Sequence, residues 1–280
     1  MKRVIACIDS SPCINALAEA AAWIATQTQR ELVLLQVLDY YPASYHLGEI
    51  SGVIGFESNA MLLKELAELE QKQSELALDY SNNLLQHISS MIQEKYEIVP
   101  TQIQEKGDFL EQSFSVLNED DIVVIGRVGE KSAERNKALG SNVENFIRGA
   151  NCTVMTVGEH FKAPTRFIFA YEYSPTCIKM MKRIAQSDLL KLLQCHLLYV
   201  GDHPEVLNEP ADFLTSAGLD VVVEYRYGDV AENILDYQRE HGIQLIVLGA
   251  FSHSKIHQFF LGSITTSIFR NSTVPLLVAK

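Results

Sequence analysis

The sequence predicts an α/β protein made of two tandem copies of one fold, each with a five-stranded, mostly parallel sheet. Two observations carry that prediction. The first is an internal repeat. Val4–Ile8, then Asp9, Ser10, Ser11 and Pro12, matches Phe167–Tyr171, then Glu172, Tyr173, Ser174 and Pro175, at an offset of 163. Ile122–Gly126 matches Leu245–Gly249 at an offset of 123, and each is followed by a loop and a Gly-Ser pair (Gly140–Ser141, Gly262–Ser263). Each half then closes on Asn-x-Thr-Val and an apolar run, at Asn151–Val157 and Asn271–Val278. The second observation is the alternation of short continuous apolar runs with helical patterns. That alternation implies parallel strands buried on both faces and joined by right-handed crossovers.

Taken in order, Val4–Ile8 reads as the first buried strand, and the Ala-rich stretch Asn15–Gln27, with Trp23 and Ile24, as a helix on the sheet. Leu32–Leu38 is a second strand. The two offsets differ by 40, so the first half carries about forty extra residues between Asp39 and Pro100. These form a loop with Gly, Tyr and Pro (Tyr40–Ser58) and a long helix from about Ala60 to Lys95. That helix sets Leu62, Leu63, Leu66, Leu69, Leu76, Leu84 and Leu85 mostly at helical spacing. Its expected role is packing, with partner binding or cover over a ligand cleft as alternatives. Ile98–Gln104 follows as a strand, Phe109–Leu117 as a helix, Ile122–Ile125 as a strand, Ser141–Arg148 as a helix and Thr153–Val157 as the fifth strand. Gly158–Thr165 is the linker. The second half places strands at Phe167–Tyr171, Leu197–Val200, Asp220–Arg226, Leu245–Leu248 and Val274–Val278, with a helix at Val230–Glu240.

Composition narrows the function. With 47% hydrophobic and 21% charged residues over 280 positions, the chain has material for real cores and does not read as disordered. A net charge of −12 argues against nucleic acid as a partner, because phosphate-backbone affinity needs clustered Lys and Arg. The five cysteines, Cys7, Cys13, Cys152, Cys177 and Cys195, form no CxxC pair and read as reduced thiols. The apolar run after Met-Lys-Arg ends at Asp9, too short for a signal peptide or a membrane span, so the expected location is the cytoplasm. His253 and His257 are four apart but read as polar loop residues, and no metal site is expected. Neither Gly-x-Gly-x-x-Gly nor Gly-x-x-x-x-Gly-Lys-Ser/Thr occurs, and no His base accompanies Asp9, Ser10 and Ser11. No catalytic residue is expected.

In sheets of this kind ligands bind beyond the carboxyl ends of the strands, where strand order reverses. Two segments there share a pattern. The first half reads Gly126-x2-Gly129, ten residues, then Gly140-Ser141-Asn142; the second reads Gly249-x2-Ser252, nine residues, then Gly262-Ser263-Ile264. Glycine after a strand admits close backbone approach, and Gly-Ser at a helix start offers free N–H groups, a hydroxyl and the positive end of the helix dipole. Together they suit phosphate.

This arrangement resembles the ATP-binding signature, Gly-x2-Gly-x9-Gly-Ser, of the universal stress protein family. So do Asp9-Ser-Ser-Pro after the first strand and the Gly-Asp pairs Gly107–Asp108 and Gly228–Asp229 before helices. The resemblance covers both halves apart from the insertion. It implies two Rossmann-like (adenine nucleotide alpha hydrolase-like) domains, 1–160 with a helical insertion at about 40–95 and 161–280. It also implies pairing through the last strands, here within one chain, and leaves open whether the chain pairs further into a homodimer. Carried over by position, it implies an adenine-nucleotide site at Asp9, Val37, Gly126, Gly129, Gly140, Ser141 and Asn142, and another at Glu172, Val200, Gly249, Ser252, Gly262, Ser263 and Ile264. The acid would contact the nucleoside, the valine backbone the adenine, and the glycines and Gly-Ser the phosphates of ATP, with or without magnesium. The first half departs by one extra loop residue. The second departs by Glu for Asp and Ser for Gly, and it is the favoured half on sequence, because loop length is harder to accommodate than one side chain. The function expected is a stress-response regulator that binds ATP or a related nucleotide without fast turnover. A nonenzymatic scaffold with degenerate pockets and a slow ATPase are the alternatives.

Overall fold

The computed structural model describes residues 2–38, 56–127, 141–249 and 263–279. The first half runs β1 (Arg3–Cys7), α1 (Ile14–Thr28), β2 (Glu31–Leu38), α2 (Phe56–Tyr96), β3 (Thr101–Lys106), α3 (Phe109–Val116), β4 (Ile122–Gly126), α4 (Ser141–Gly149) and β5 (Thr153–Val157). The second half runs β6 (Arg166–Tyr171), α5 (Pro175–Gln186), β7 (Gln194–Val200), α6 (Asn208–Ser216), β8 (Val221–Arg226), α7 (Val230–Glu240), β9 (Leu245–Gly249), α8 (Ser263–Asn271) and β10 (Leu276–Ala279). The ten strands make one sheet in the order β3-β2-β1-β4-β5-β10-β9-β6-β7-β8. Each half therefore has the order 3-2-1-4-5, and every pairing is parallel except β5 with β10.

The continuous apolar runs explain this sheet. Val4, Ile5, Ala6, Val123, Val124, Phe167, Ile168, Phe169, Ile246 and Val247 are fully buried, because helices cover both faces. One core layer joins α1, α2 and α5 to the sheet, and the other joins α4, α7 and α8 to its opposite face. On α1, Ala18, Ala20, Ala21 and Ala22 are wholly buried, so their small side chains let the helix axis lie close to β1 and β4.

At the junction Leu276, Leu277 and Val278 stand opposite Thr156, Met155 and Val154. The two halves thus close each other's edge strands, leaving β3 and β8 as the sheet's outer edges. A second link comes from Arg127, which follows β4. Its guanidinium donates to the carbonyls of Ser272 and of Val274 (2.6 Å), just ahead of β10, while Nε is enclosed with no partner among the described residues. Burial lowers its pKa to about 10, still far enough above neutrality to keep the charge.

Several boundaries differ from expectation, β7 for one beginning at Gln194 rather than Leu197. The third strand begins at Thr101 rather than Ile98. Glu97 turns left-handed (φ 58°) to end α2, Ile98 packs back on the core, and Pro100 has no N–H for a ladder. The last strand starts at Leu276 rather than Val274, because Pro275 precedes it and Ser272 Oγ accepts from Val274 N–H in the turn. The long helix starts earlier, at Phe56.

The expectation that the α2 leucines pack holds only for part of the helix. Leu85, Ile88 and Ile92 are buried, and Ser81 donates to Gln36 of β2 (2.5 Å) and accepts from Gln104 of β3 (2.6 Å). That polar triad, buried at Ser81 and Gln36 and exposed at Gln104, fixes the C-terminal half of α2 to the sheet edge. Leu69 and Leu76, in contrast, are 56% and 69% exposed. The physical reason is length. At 1.5 Å per residue, 41 residues run about 60 Å, longer than the surface available to cover them.

The second half carries a buried histidine. Gln194 Nε2 donates to Asp220 (2.7 Å), which turns its Oε1 toward His196 Nε2 at 3.2 Å. His196 Nδ1 then accepts from the Tyr237 hydroxyl at 2.8 Å, so the neutral ring is fully satisfied. Burial first, then the neighbouring His241 and Arg166, lower its pKa from 6.5 against a smaller opposing pull from Asp220. A lowered folded-state value means that the unfolded chain takes up the proton first. His196 therefore contributes stability that is complete above about pH 6.5 and is lost as pH falls from there through its lowered pKa. In urea titrations at pH 7.5, 6.5 and 5.5, wild type should weaken across that window more than His196→Gln. Parallel pH profiles would refute the assignment.

Candidate functional site

The site is built where strand order reverses, between β1 and β4 in the first half and between β6 and β9 in the second. Register brings three of the expected residues together in each half. Cys7 of β1 faces Leu35 of β2 and Ile125 of β4, which sets Asp9 level with Val37 and one residue beyond Gly126. In the second half Tyr171 faces Tyr199, so Glu172 stands level with Val200, and Phe169 faces Val247, which places Gly249 level with Tyr171. An acid, a valine and a glycine thus end three adjacent strands twice, in equivalent positions. Gly126 and Gly249 are buried, paired with Val157 and Ala279 on their far sides.

The two turns after the first strands differ in their hydrogen bonds. Asp9 is half-buried and its carboxylate accepts from Ser11 N–H at 3.1 Å, closing a short side-chain turn. The Ser11 hydroxyl is buried with no partner among the described residues, and α1 has no side-chain cap. The matching Ser174 hydroxyl is occupied: it accepts from Cys177 N–H at 3.1 Å and caps α5. Glu172 is exposed, and Tyr173 beside it adopts φ 53° and is 60% exposed. The first half therefore offers a polar group for a ligand that the second half has committed to its helix. This difference is invisible in the sequence, where both turns read x-Ser-Pro.

Helices α4 and α8 begin at Ser141 and Ser263, so both Gly-Ser pairs end at the start of a helix. Free N–H groups and the positive end of a helix dipole lie there. Asn142 is exposed and Ile264 is 39% exposed, each in the first helical turn. Gly129, Gly140, Ser252 and Gly262 lie outside the described residues, as do His253 and His257 and the Tyr40–Gly55 part of the insertion loop. The Gly-Asp pairs have a structural role: Gly107 (φ 141°) and Gly228 (φ 106°) take backbone angles other residues rarely adopt. Asp108 then caps α3 through Leu110 and Glu111 N–H, and Asp229 caps α7 through Glu232 N–H.

Among the described residues no group of three or more His, Cys, Asp or Glu is placed to hold a metal ion, and no helix is long and apolar enough to cross a membrane. All five cysteines are buried and none is in a disulfide, and burial pushes the Cys7 and Cys195 thiols up.

Comparison with known proteins agrees with this architecture. A model of the universal stress protein family matches residues 202–280. The universal stress protein Slr1230 of Synechocystis is 29% identical over 288 aligned positions, covering 100% of both chains. Among solved structures, a universal stress protein from Archaeoglobus fulgidus superposes with a TM-score of 0.73 at 18% identity, over 99% of this chain and 98% of its own. A universal stress protein assigned as putative from Pseudomonas aeruginosa gives 0.61 at 14% identity, over 100% and 93%. These two likenesses show the fold. With the whole-length relative, the family match and the doubled 3-2-1-4-5 sheet together, the chain is similar over its full length to universal stress proteins and carries their fold twice in one polypeptide.

Proposed function

We propose that this protein is a stress-response regulator that binds ATP or a related adenine nucleotide in one or both halves without fast turnover. The observation that supports it is the repeated meeting of acid, valine and glycine at the switch in strand order, each ahead of a Gly-Ser helix start. In this reading residues 1–160 and 161–280 are the two domains. Asp9 and Glu172 accept from the nucleoside, and the backbones of Val37 and Val200 address the adenine. The phosphates, with any magnesium they bring, lie against Gly126, Gly129, Gly140, Ser141 and Asn142, or against Gly249, Ser252, Gly262, Ser263 and Ile264. The buried Ser11 hydroxyl, without a partner among the described residues, and the shorter acid favour the first half. A cytoplasmic location belongs to the same reading.

A second reading, a nonenzymatic scaffold, draws support from the second half, where Glu172 is exposed and Ser174 is taken by its helix. Calorimetry with ATP separates the two. Asp9→Ala or Gly140→Val should weaken binding at least about tenfold, or 1.4 kcal/mol. Glu172→Ala and Gly262→Val should have the smaller effect. No co-purified nucleotide by mass spectrometry, together with no binding at millimolar ATP, would sink the first reading. Release of phosphate at about 1 per second or faster would overturn the absence of fast turnover.

A further inference from the structure

The N-terminal half of α2 presents an apolar stripe that the rest of the chain leaves uncovered. Leu69, Leu76 and Tyr80 are 56%, 69% and 58% exposed. With Leu66 and Gln73 they fall at positions 66, 69, 73, 76 and 80, an alternating spacing of three and four that keeps one face of a helix in line. Leu62 continues the same spacing in the sequence. At about 100° per residue this stripe lies roughly 110° round the helix from the face that buries Leu85, Ile88 and Ile92. It is therefore not an extension of the packed face. Farther along, the same line passes through Asn83, His87, Ser90 and Glu94, all exposed, so among the described residues nothing covers that line.

We infer that this stripe is a dimer interface, in which α2 pairs antiparallel with α2 of a second copy about a twofold axis between Ser74 and Glu75. Charge selects that arrangement. In this register Leu69 faces the partner copy's Tyr80, Gln73 faces its Leu76, and Lys72 meets its Asp79, each contact occurring twice. All three exposed apolar side chains are covered. A register centred near residue 71 brings Lys72 against Lys72 and Glu65 against Asp79. One centred near residue 67 leaves Tyr80 without a helical partner. A parallel pair sets Lys72 against Ala77, so the ion pair is lost. A shallow depression bounded by Glu65, Glu68, Leu69 and Lys72 adjoins the stripe and shares Leu69 with it. The strands β5 and β10 are already joined within one chain, so a second copy has to use another surface. This interface is independent of whether either half binds nucleotide.

Sedimentation of the full chain tests it by mass. Wild type should move from 31.4 kDa toward twice that value with rising concentration. Leu76→Glu should remain monomeric with an unchanged far-UV spectrum and, at dilutions where both chains are monomeric, an unchanged melting temperature, since the side chain leaves the core untouched. Lys72→Glu and Asp79→Lys should each weaken self-association at least about tenfold, because each sets like charges together twice. Mixing the two variants should restore dimers. In the mixed pair the two substituted side chains face each other with opposite charge, and the other contact keeps its native Lys72 and Asp79. That rescue is specific to the register. A wild type that stays monomeric to about 100 μM, a Leu76→Glu chain that still dimerises, or a mixture that associates no better than its components would each overturn the proposal.

Discussion

Arg127→Met is expected to destabilise the protein by about 3 kcal/mol, with the loss concentrated at the contact between the halves. The guanidinium carries a charge into a partly buried position and satisfies the carbonyls of Ser272 and Val274 across the junction. Methionine retains most of the volume but leaves both carbonyls without that donor. Hydrogen bonds from a charged group contribute about 1.5–3 kcal/mol each. At roughly 2–4 °C per kcal/mol for a chain of this size, the melting temperature should fall by about 10 °C. Arg127→Lys, which keeps the charge but not the fork, should lie between. A change below about 1 kcal/mol in urea denaturation would show that the contact contributes little. Because Arg127 follows Gly126 directly, the same variant should also weaken any ligand held beyond β4, by loosening the strand end that presents it.

Leu277→Asp should have a still larger effect, a loss of at least about 4 kcal/mol and a chain that folds poorly at 37 °C. Leu277 is 3% exposed and sits at the centre of the antiparallel junction, opposite Met155. An ionised carboxylate there has neither water nor a cation. Its desolvation opposes the only strand pairing that joins β5 to β10. Limited proteolysis should then cut near the 158–165 linker sooner than in wild type. Leu277→Val, which keeps the apolar contact and shortens the side chain, is the control and should cost about 1 kcal/mol. Wild-type stability in Leu277→Asp would mean that the junction is not coupled to folding.

The sequence alone determined the duplication, the strand and helix order and the place of the insertion. The reason is local: period, run length and punctuation by Gly, Pro and Asp act over a few residues. Gly107–Asp108 and Gly228–Asp229 could be marked as helix starts from those rules, and their caps are formed. The acid, valine and glycine of each candidate site were also legible, since a parallel sheet places strand ends together once the order is known. Tertiary structure decided what depends on distant partners. Ser11 and Ser174 occupy matching places in the sequence, yet one hydroxyl has no partner among the described residues and the other caps a helix, because the turns ahead of them differ. Arg127 gave no local signal, as its acceptors lie about 145 residues away. The fusion of two five-stranded sheets into one, and the exposure of the Leu69–Leu76–Tyr80 stripe on a helix that otherwise packs, follow from which surfaces the rest of the chain can reach. No local pattern encodes that reach.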